Sequence, residues 1–213
     1  MKKTYSSFDQ SIFFSFINTI RFINLDCLFY LISLSFDYLF KTIIVGDPNV
    51  GKTSITLRFS TGTFRERYLF TIGVEFSVKD IEVDGNKVKI QAWDTGGHDK
   101  YSYIRPLYYK GSYGTLIVYD ITNKASFENL NKWFKEVYDN CETTIPAILV
   151  GNKNDLEEQR EVTREEALKY AEEMSKEYNL ENIPYFETSA KTGENVDDIY
   201  FELTRLMIKK SNM

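Results

Sequence analysis

The sequence contains little of the chemistry on which zinc sites, disulfide frameworks and catalytic triads depend. It has one histidine, His98, and two cysteines, Cys27 and Cys141, among 213 residues. The two cysteines provide neither a disulfide framework nor a zinc-ligand spacing, and no nucleophile elbow precedes any serine. So few cysteines fit a reducing compartment, which predicts a protein of the cytosol. Zinc enzymes and triad hydrolases are therefore poor interpretations.

The sequence also lacks an excess of basic residues. Lysine and arginine together number 26 against 31 aspartate and glutamate, which gives a formal net charge of -5. A nucleic-acid groove needs cations to neutralise phosphates, so no nucleic-acid partner is expected. Hydrophobic residues make up 43% of the chain, which is enough to build a core, and 213 residues suit one domain with an extension.

Residues 1–35 have a composition of their own and are predicted to form an extension to a domain at 36–213. The stretch 12–35 is crowded with Phe, Ile, Leu and Tyr, but Arg21 and Asp26 interrupt it. Each charge costs roughly 2.5 to 3.5 kcal/mol at a membrane centre, which argues against a membrane span. Two interpretations stay open: an interfacial amphipathic helix, or translated non-coding sequence, which we favour slightly.

From Phe36 onward, short apolar runs alternate with polar helical patterns, which indicates βαβ units. We predict an α/β fold with a six-stranded, mostly parallel sheet and helices on both faces. Asp84 and Gly85 form a hairpin signal, which makes one strand antiparallel. The predicted strands are 39–45, 75–83, 87–93, 114–119, 147–150 and 185–187, and the predicted helices are 51–60, 126–138, 163–178 and 196–209.

The segment Gly46–Thr53 reads GDPNVGKT and matches the phosphate-binding pattern GxxxxGK[ST]. It follows a predicted strand and opens a predicted helix, which is the context that this pattern requires. Lys52 can reach the β- and γ-phosphates, backbone N–H groups can point at phosphate oxygens, and Thr53 can give its hydroxyl to Mg²⁺. The alternative is a glycine-rich turn with a chance lysine. The predicted nucleotide contacts in this region are Asp47, Pro48, Asn49, Val50, Gly51, Lys52, Thr53 and Ser54.

A second motif, DTGG, begins at Asp94, where an apolar strand ends. The carboxylate of Asp94 can orient Mg²⁺ through water, since this hard ion prefers oxygen ligands and keeps several waters. Gly97 can bring a backbone N–H close to the γ-phosphate. An aspartate at a strand end is often only a turn residue. The phosphate-binding loop, or P-loop, at Gly46–Thr53 precedes it in the chain, and this favours a role for Asp94 in binding Mg²⁺.

Two polar loops predict specificity for guanine. Asn152–Asp155 reads NKND and follows the strand 147–150, and Ser189–Lys191 reads SAK after the next predicted strand. The Asp155 carboxylate can accept both N1–H and N2–H₂ of guanine, a donor pair that adenine lacks. The Ala190 N–H can meet guanine O6. Each loop alone is a weak signal, but their order after a P-loop favours guanine over adenine.

These residues resemble the Ras superfamily of small GTPases over Phe36 to about Lys210. The resemblance implies a three-layer P-loop NTPase G domain with GTP or GDP and Mg²⁺ as ligands. The segments that are similar to the Rab branch are Thr71–Phe76 (TIGVEF), Trp93–Thr95 (WDT), Tyr108–Gly111 (YYKG) and Ile117–Thr122 (IVYDIT).

The resemblance also implies individual roles. Thr71, in the first switch, should bind Mg²⁺ and sense the γ-phosphate, and Phe64 should pack against the guanine ring. Asn152 and Lys153 should frame the base. The implied metal ligands are Thr53, Thr71 and, through water, Asp94. The implied catalytic group is Lys52, Thr71, Gly97 and His98. An effector patch would comprise Phe76, Trp93 and Tyr108, for which ordinary core packing is the alternative.

The sequence departs from the family in three places. The second switch usually reads DTAGQE, and this chain reads DTGGHD, so His98 replaces the glutamine that orients the attacking water. Translational GTPases also place a histidine after glycine, and a neutral imidazole can hold a water. We expect slow intrinsic hydrolysis. Pro48 removes one N–H donor from the P-loop and stiffens it. The C-terminal letters KKSNM include no cysteine to prenylate, which leaves membrane association open.

The sequence as a whole predicts a monomeric switch that binds GTP or GDP, hydrolyses GTP and recruits effectors in the GTP state. An exchange factor and a GTPase-activating protein are expected partners, with a role in vesicle traffic in the cytoplasm or at the periphery of an endomembrane. The alternative is a GTP-loaded scaffold with negligible hydrolysis, which Pro48, Gly96 and His98 keep open. An ATP-using enzyme is a distant third, because Asp155 opposes it.

Overall fold

The computed structural model describes residues 36–65 and 71–213. Residues Tyr38–Met213 form one compact unit, and the predictions about residues 1–35 lie outside the described part. The strands are β1 (Tyr38–Val45), β2 (Val74–Val83), β3 (Asn86–Thr95), β4 (Gly114–Asp120), β5 (Ala147–Asn152) and β6 (Tyr185–Thr188). The α-helices are α1 (Lys52–Thr61), α2 (Arg105–Tyr109), α3 (Lys124–Glu128), α4 (Leu130–Asn140), α5 (Arg164–Glu177) and α6 (Val196–Ser211).

The six strands form one sheet in the order β2-β3-β1-β4-β5-β6. Every neighbouring pair is parallel except β2 with β3. The predicted sheet with one antiparallel strand is therefore confirmed. Both central turn residues of the hairpin, Asp84 and Gly85, have positive φ, at 50° and 81°. A two-residue turn of this kind matches the twist of the strands that it joins.

Helices cover both faces of the sheet, as predicted. One core cluster joins α1 and α6 to the sheet through Phe59, Tyr200 and Leu203, and the other joins α4 and α5 to the opposite face through Phe134 and Ala171. All seven residues of β4 and all six of β5 are buried. Parallel strands that are covered on both faces read as continuous apolar runs for this reason.

Two helical details differ from the prediction. The single helix predicted over 126–138 is two helices, α3 and α4, which meet at Asn129. Asn129 has a ψ of -3°, and its amide donates to Asp47 at 2.7 Å. The short helix α2 was not predicted, because five residues that begin Arg105-Pro106 show no helical period. The predicted capping box of α5 is confirmed, with Thr163 and Glu166 bonded reciprocally.

The parallel topology brings the carboxyl ends of β1, β3, β4, β5 and β6 to one edge of the sheet. Ligands of open α/β sheets bind at this edge. The motif-bearing loops follow these strands directly. No helix in the described ranges has the length and apolar character that crossing a membrane requires.

Candidate functional site

The phosphate loop curls between β1 and α1 with three residues at positive φ: Gly46 at 144°, Asn49 at 66° and Gly51 at 97°. A Cβ on Gly51 would lie 2.2 Å from the Asn152 side-chain nitrogen, so this position admits only glycine. The Lys52 ammonium donates to the carbonyls of Gly46 at 2.8 Å and Asp47 at 2.7 Å. Burial lowers the pKa of Lys52 to about 8. An anion held in the loop would offset this desolvation.

The remaining predicted residues of the loop differ in what they can offer. The Val50 side chain is buried in the core, so only its backbone faces the loop. Asn49, Gly51 and Ser54 line a pocket that is described below. The nitrogen of Pro48 would lie 2.7 Å from a Cβ on Gly97. Pro48 therefore lies directly against the second switch.

The side chain of Asp47 points away from the loop and is held by the region of α4. The Trp133 indole donates to Asp47 Oδ1 at 2.7 Å, and the Asn129 amide donates to Oδ2 at 2.7 Å. Both partners come from positions more than eighty residues further along the chain. No sequence signal indicates this contact, since neither partner belongs to a motif.

Three predicted metal ligands converge at the end of β3. The hydroxyls of Thr53 and Thr71 are 2.8 Å apart. Both reach Asp94 Oδ2, Thr53 through a short hydrogen bond and Thr71 at 3.3 Å. Asp94 is fully buried, and its Oδ1 has no hydrogen-bond partner among the described residues. Burial raises the pKa of Asp94 to about 6. An oxygen-rich cluster around a desolvated carboxylate fits a magnesium ion, whose charge would favour the ionised form.

Gly97 lies against the phosphate loop, as its predicted role requires. A Cβ at this position would come within 2.6 Å of the Gly46 carbonyl oxygen and 2.7 Å of the Asp47 carbonyl carbon. Both contacts are with backbone, which cannot rotate out of the way. The second switch and the phosphate loop approach each other this closely because residue 97 has no side chain.

Arg105 connects the second switch to α4. It is fully buried, and its NH1 donates to the carbonyls of Gly96 at 3.3 Å and His98 at 2.9 Å. Its Nε and NH2 donate to the two carboxylate oxygens of Glu136, each at 2.6 Å. The half-buried His98 therefore lies on a backbone held by a buried ion pair. Neither Arg105 nor Glu136 was assigned a role from the sequence.

The two polar loops that follow β5 and β6, Asn152–Asp155 and Ser189–Lys191, are the first and second base loops. They surround a pocket of about 240 Å³. Most of the predicted base and loop contacts line it, and Leu156 is an addition that the sequence did not indicate. The lining residues are Asn49, Gly51, Ser54, Phe64, Asn152, Lys153, Asp155, Leu156, Ala190 and Lys191. A pocket of this size, lined by apolar side chains and by a carboxylate, suits a planar base.

Side-chain hydrogen bonds hold the base loops in register. Asn152 donates to the Val50 carbonyl at 2.8 Å and accepts from Thr188 at 3.1 Å and from the Ala190 N–H at 3.3 Å. Ser189 donates to Asp155 Oδ1 at 2.6 Å. Asn152 thus joins the phosphate loop to the second base loop, and Ser189 orients the carboxylate that was predicted to read the base.

Lys153 and Arg58 support the pocket through contacts that the motifs do not indicate. Lys153 has a φ of 70°, and its ammonium pairs with Asp120 at 2.5 Å. Arg58 of α1 donates to the carbonyls of Ala190 at 2.9 Å and Lys191 at 2.5 Å. Neither Asp120 nor Arg58 was assigned a role from the sequence. Their contacts depend on segments that only the folded chain brings together.

The predicted effector residues form a continuous aromatic patch. The ring centroids of Phe76 and Trp93 are 5.1 Å apart, and those of Trp93 and Tyr108 are 6.0 Å apart. Phe76 is 50% exposed, and the other two rings are partly buried. The patch is therefore neither part of the core nor a set of isolated surface residues. Along the chain, Phe76 and Trp93 lie between the two switch segments, and Tyr108 follows the second.

Comparisons with known proteins show to which family the chain is similar. Residues 41–209 match the model of the Ras family. The chain is 40% identical over 177 residues to Ras-related protein Rab-13 of Canis lupus familiaris. These residues make up 83% of this chain and 84% of the relative. It is 40% identical over 176 residues to GTP-binding protein ypt2 of Schizosaccharomyces pombe, with 83% and 84% covered. It is 38% identical over 178 residues to Ras-related protein Rab-8B of Homo sapiens, with 84% and 83% covered.

Proposed function

This chain belongs to the Ras family as a Rab-like small GTPase, and we propose that it is a switch that binds GTP or GDP and hydrolyses GTP slowly. The observation that carries this proposal is the meeting of three sites at one edge of the sheet. They are the phosphate loop at Lys52, the oxygen cluster at Asp94 and the pocket at Asp155. In this proposal the base, the phosphates and the metal take these three adjoining places.

In this proposal Thr53 and Thr71 hold Mg²⁺ through their hydroxyls, and Asp94 holds it through water. When bound, the ion neutralises charge on the phosphate oxygens. Lys52 supplies a second positive charge to the phosphates. Gly97 lies against the phosphate loop, where its N–H would meet the γ-phosphate. Thr71 belongs to both the metal cluster and the first switch, so binding or release of the metal would also affect the first switch.

Hydrolysis requires a water in line with the bond that breaks, and positioning supplies most of the catalysis. His98 follows Gly97 and is the residue of the second switch that can hold such a water. Its backbone carbonyl is fixed by Arg105 at 2.9 Å. His98 stands in place of the glutamine that orients the attacking water in the family, so we propose a slow intrinsic rate.

The aromatic patch of Phe76, Trp93 and Tyr108 lies where switch movement would change its shape, which supports a role in recruiting effectors. By likeness to the Rab relatives, we assign the switch to vesicle traffic at an endomembrane surface. An exchange factor and a GTPase-activating protein would set its nucleotide state. The base contacts proposed for Phe64, Asn152, Lys153, Ser189, Ala190 and Lys191 follow from the pocket that they line or support.

A GTP-loaded scaffold with negligible turnover is the second candidate. The observation in its favour is the second switch, where Gly96 and His98 stand in place of the family's alanine and glutamine, and where Pro48 packs against Gly97. A rigid proline at this contact leaves little room for a residue supplied by an activating protein.

Two measurements on the purified chain test the proposal. The first identifies the nucleotide that co-purifies, and the second follows single-turnover GTP hydrolysis. A slow switch carries mostly GDP and converts GTP over minutes to hours. Mostly GTP with no conversion supports the scaffold instead, and a chain that binds ATP as well as GTP contradicts the proposal.

A further inference from the structure

Arg105 lies outside every nucleotide motif, yet it contacts the segment that contains Gly97 and His98. We propose that Arg105 is a positioning residue for GTP hydrolysis, which fixes the second switch against the phosphate loop. This inference rests on the proposed function, because it concerns the γ-phosphate contact and the attacking water. It adds a residue, with its partners on α4, to which no nucleotide motif assigns a role.

The guanidinium holds the second switch by its backbone. One nitrogen, NH1, donates to the carbonyls of Gly96 and His98, the residues on either side of Gly97. Each peptide unit is planar, so fixing a carbonyl also fixes the direction of the next N–H. The Gly96 carbonyl belongs to the same peptide unit as the Gly97 N–H. Arg105 thereby sets the orientation of the donor that is available to the γ-phosphate.

The other edge of the guanidinium is fixed by α4. Nε and NH2 form two parallel hydrogen bonds of 2.6 Å with the Glu136 carboxylate. The Tyr109 hydroxyl donates to the same carboxylate at 2.6 Å. The Arg105 side chain is 0% exposed and that of Glu136 is 14% exposed, so water screens the pair little. Two parallel hydrogen bonds of this kind fix the orientation of the guanidinium as well as its position.

The same helix face also holds the phosphate loop. The Arg105 guanidinium carbon lies 4.7 Å from the centroid of the Trp133 ring, and the Trp133 indole donates to Asp47. Trp133 and Glu136 are three residues apart and therefore share one side of α4. Lys132 adds an outer ion pair with Asp99 of the second switch. One helix face thus positions both elements that surround the γ-phosphate.

A lysine cannot reproduce this arrangement. Arginine presents five N–H donors in a rigid fork, whereas lysine has one ammonium on a flexible stem. In Arg105→Lys the cation can still pair with Glu136, which keeps the buried carboxylate compensated and the fold intact. The two carbonyl contacts would then be lost. Arg105→Lys therefore separates positioning from charge.

The experiment uses the full chain and compares wild type, Arg105→Lys, Glu136→Gln and the double variant. Arg205→Lys is the matched control, since Arg205 pairs with Asp84 at 3.1 Å on the exposed surface of α6. Three quantities are measured: the single-turnover hydrolysis rate, the affinity for GDP, and the affinity for a β,γ-imido analogue of GTP. Melting temperatures identify any variant whose fold is weakened.

We expect Arg105→Lys to lower the hydrolysis rate at least fivefold and to lower the affinity for the analogue relative to GDP. GDP affinity should stay within twofold, because GDP lacks the phosphate that Gly97 meets. The double variant should be no worse than the worse single one, since both changes break one unit. Arg205→Lys should match wild type in all three quantities.

Unchanged hydrolysis and an unchanged analogue-to-GDP ratio in folded Arg105→Lys would overturn the inference while leaving the proposed function intact. Equal losses for GDP and the analogue would assign Arg105 a purely structural role, which also overturns it. If wild type binds both nucleotides but does not hydrolyse GTP, the proposed hydrolysis fails, and the affinity ratio still decides whether Arg105 positions the switch. A wild type that binds neither nucleotide overturns both.

Discussion

The hydroxyls of Thr53 and Thr71 lie 2.8 Å apart and both reach one carboxylate oxygen of Asp94. Thr53 opens the helix after the phosphate loop, and Thr71 lies in the first switch. The carboxylate therefore serves as a common acceptor for a fixed element and a movable one. A cation at this place would strengthen the contact between them.

The first prediction concerns pH. Burial raises the pKa of Asp94 to about 6 from its ordinary value of 3.8. The folded, nucleotide-free protein thus binds more protons than the unfolded chain between these values, so its free energy of unfolding falls as pH rises through that window. Magnesium needs the carboxylate form. We expect the affinity for Mg·GTP to fall, by up to about tenfold per pH unit, as pH drops below 6.

The matched control for pH is Asp94→Asn, which cannot titrate at this position. Terminal phosphates themselves take up a proton near pH 6, so the nucleotide contributes its own slope. The expected result is a steeper pH dependence of Mg·GTP affinity in wild type than in the variant, measured by titration calorimetry from pH 5 to 8. Parallel curves would show that Asp94 does not gain a proton in this range.

The second prediction concerns the base. In Asp155→Asn the guanine donors lose a charged acceptor, and two charge-assisted hydrogen bonds of about 1.5 kcal/mol or more each correspond to at least about a hundredfold in GDP affinity. Ser189→Ala removes only the 2.6 Å hydrogen bond that orients Asp155, so this variant should lose less GDP affinity than Asp155→Asn. Competition between GDP and ADP measures both. A preserved preference for GDP in Asp155→Asn would contradict the assigned role.

The third prediction concerns Arg58, whose guanidinium donates to the carbonyls of Ala190, Lys191 and Gly62. Arg58→Ala frees the second base loop, and we expect GDP to dissociate about tenfold faster or more, from the loss of one or more charge-assisted bonds. Arg58→Lys should lie between, because one ammonium cannot span three carbonyls. Stopped-flow release of a fluorescent GDP gives the rates. Wild-type rates in Arg58→Ala would remove it from the site.

The fourth prediction concerns His98. Replacing it with glutamine restores the side chain that orients the attacking water in the family, and one added hydrogen bond of about 1 kcal/mol corresponds to roughly fivefold in rate. We expect His98→Gln to raise single-turnover hydrolysis by about that factor. His98→Ala tests whether the imidazole itself contributes and should be slower than wild type. Equal rates in all three proteins would remove residue 98 from the mechanism.

Much of the fold follows from local signals in the sequence. The Asp84-Gly85 turn takes positive φ at both residues and fixes the hairpin. The Thr163–Glu166 capping box begins α5 at the predicted place. The buried strands β4 and β5 read as apolar runs and are buried throughout. In each case the residues that determine the structure are near neighbours in the chain.

The sequence is less informative where a residue contacts a partner that is distant along the chain. Asn129 divides the helix that was predicted over 126–138, and its amide bonds to Asp47 on the phosphate loop. The helix α2 is too short to have a period, yet it begins with Arg105, which holds the second switch. Its importance depends on partners that are not adjacent in sequence.

The sequence by itself indicated a nucleotide-binding site of the small-GTPase kind, because glycines, a lysine and an aspartate at fixed spacing act through backbone geometry and short-range contacts. Only the tertiary structure decided what supports those residues. Trp133 meets Asp47, Arg105 meets Glu136 and Arg58 meets Ala190 across 86, 31 and 132 positions. Such pairs leave no periodic pattern in the chain. They form because parallel strands bring distant loops to one edge, where a buried polar group must find a partner.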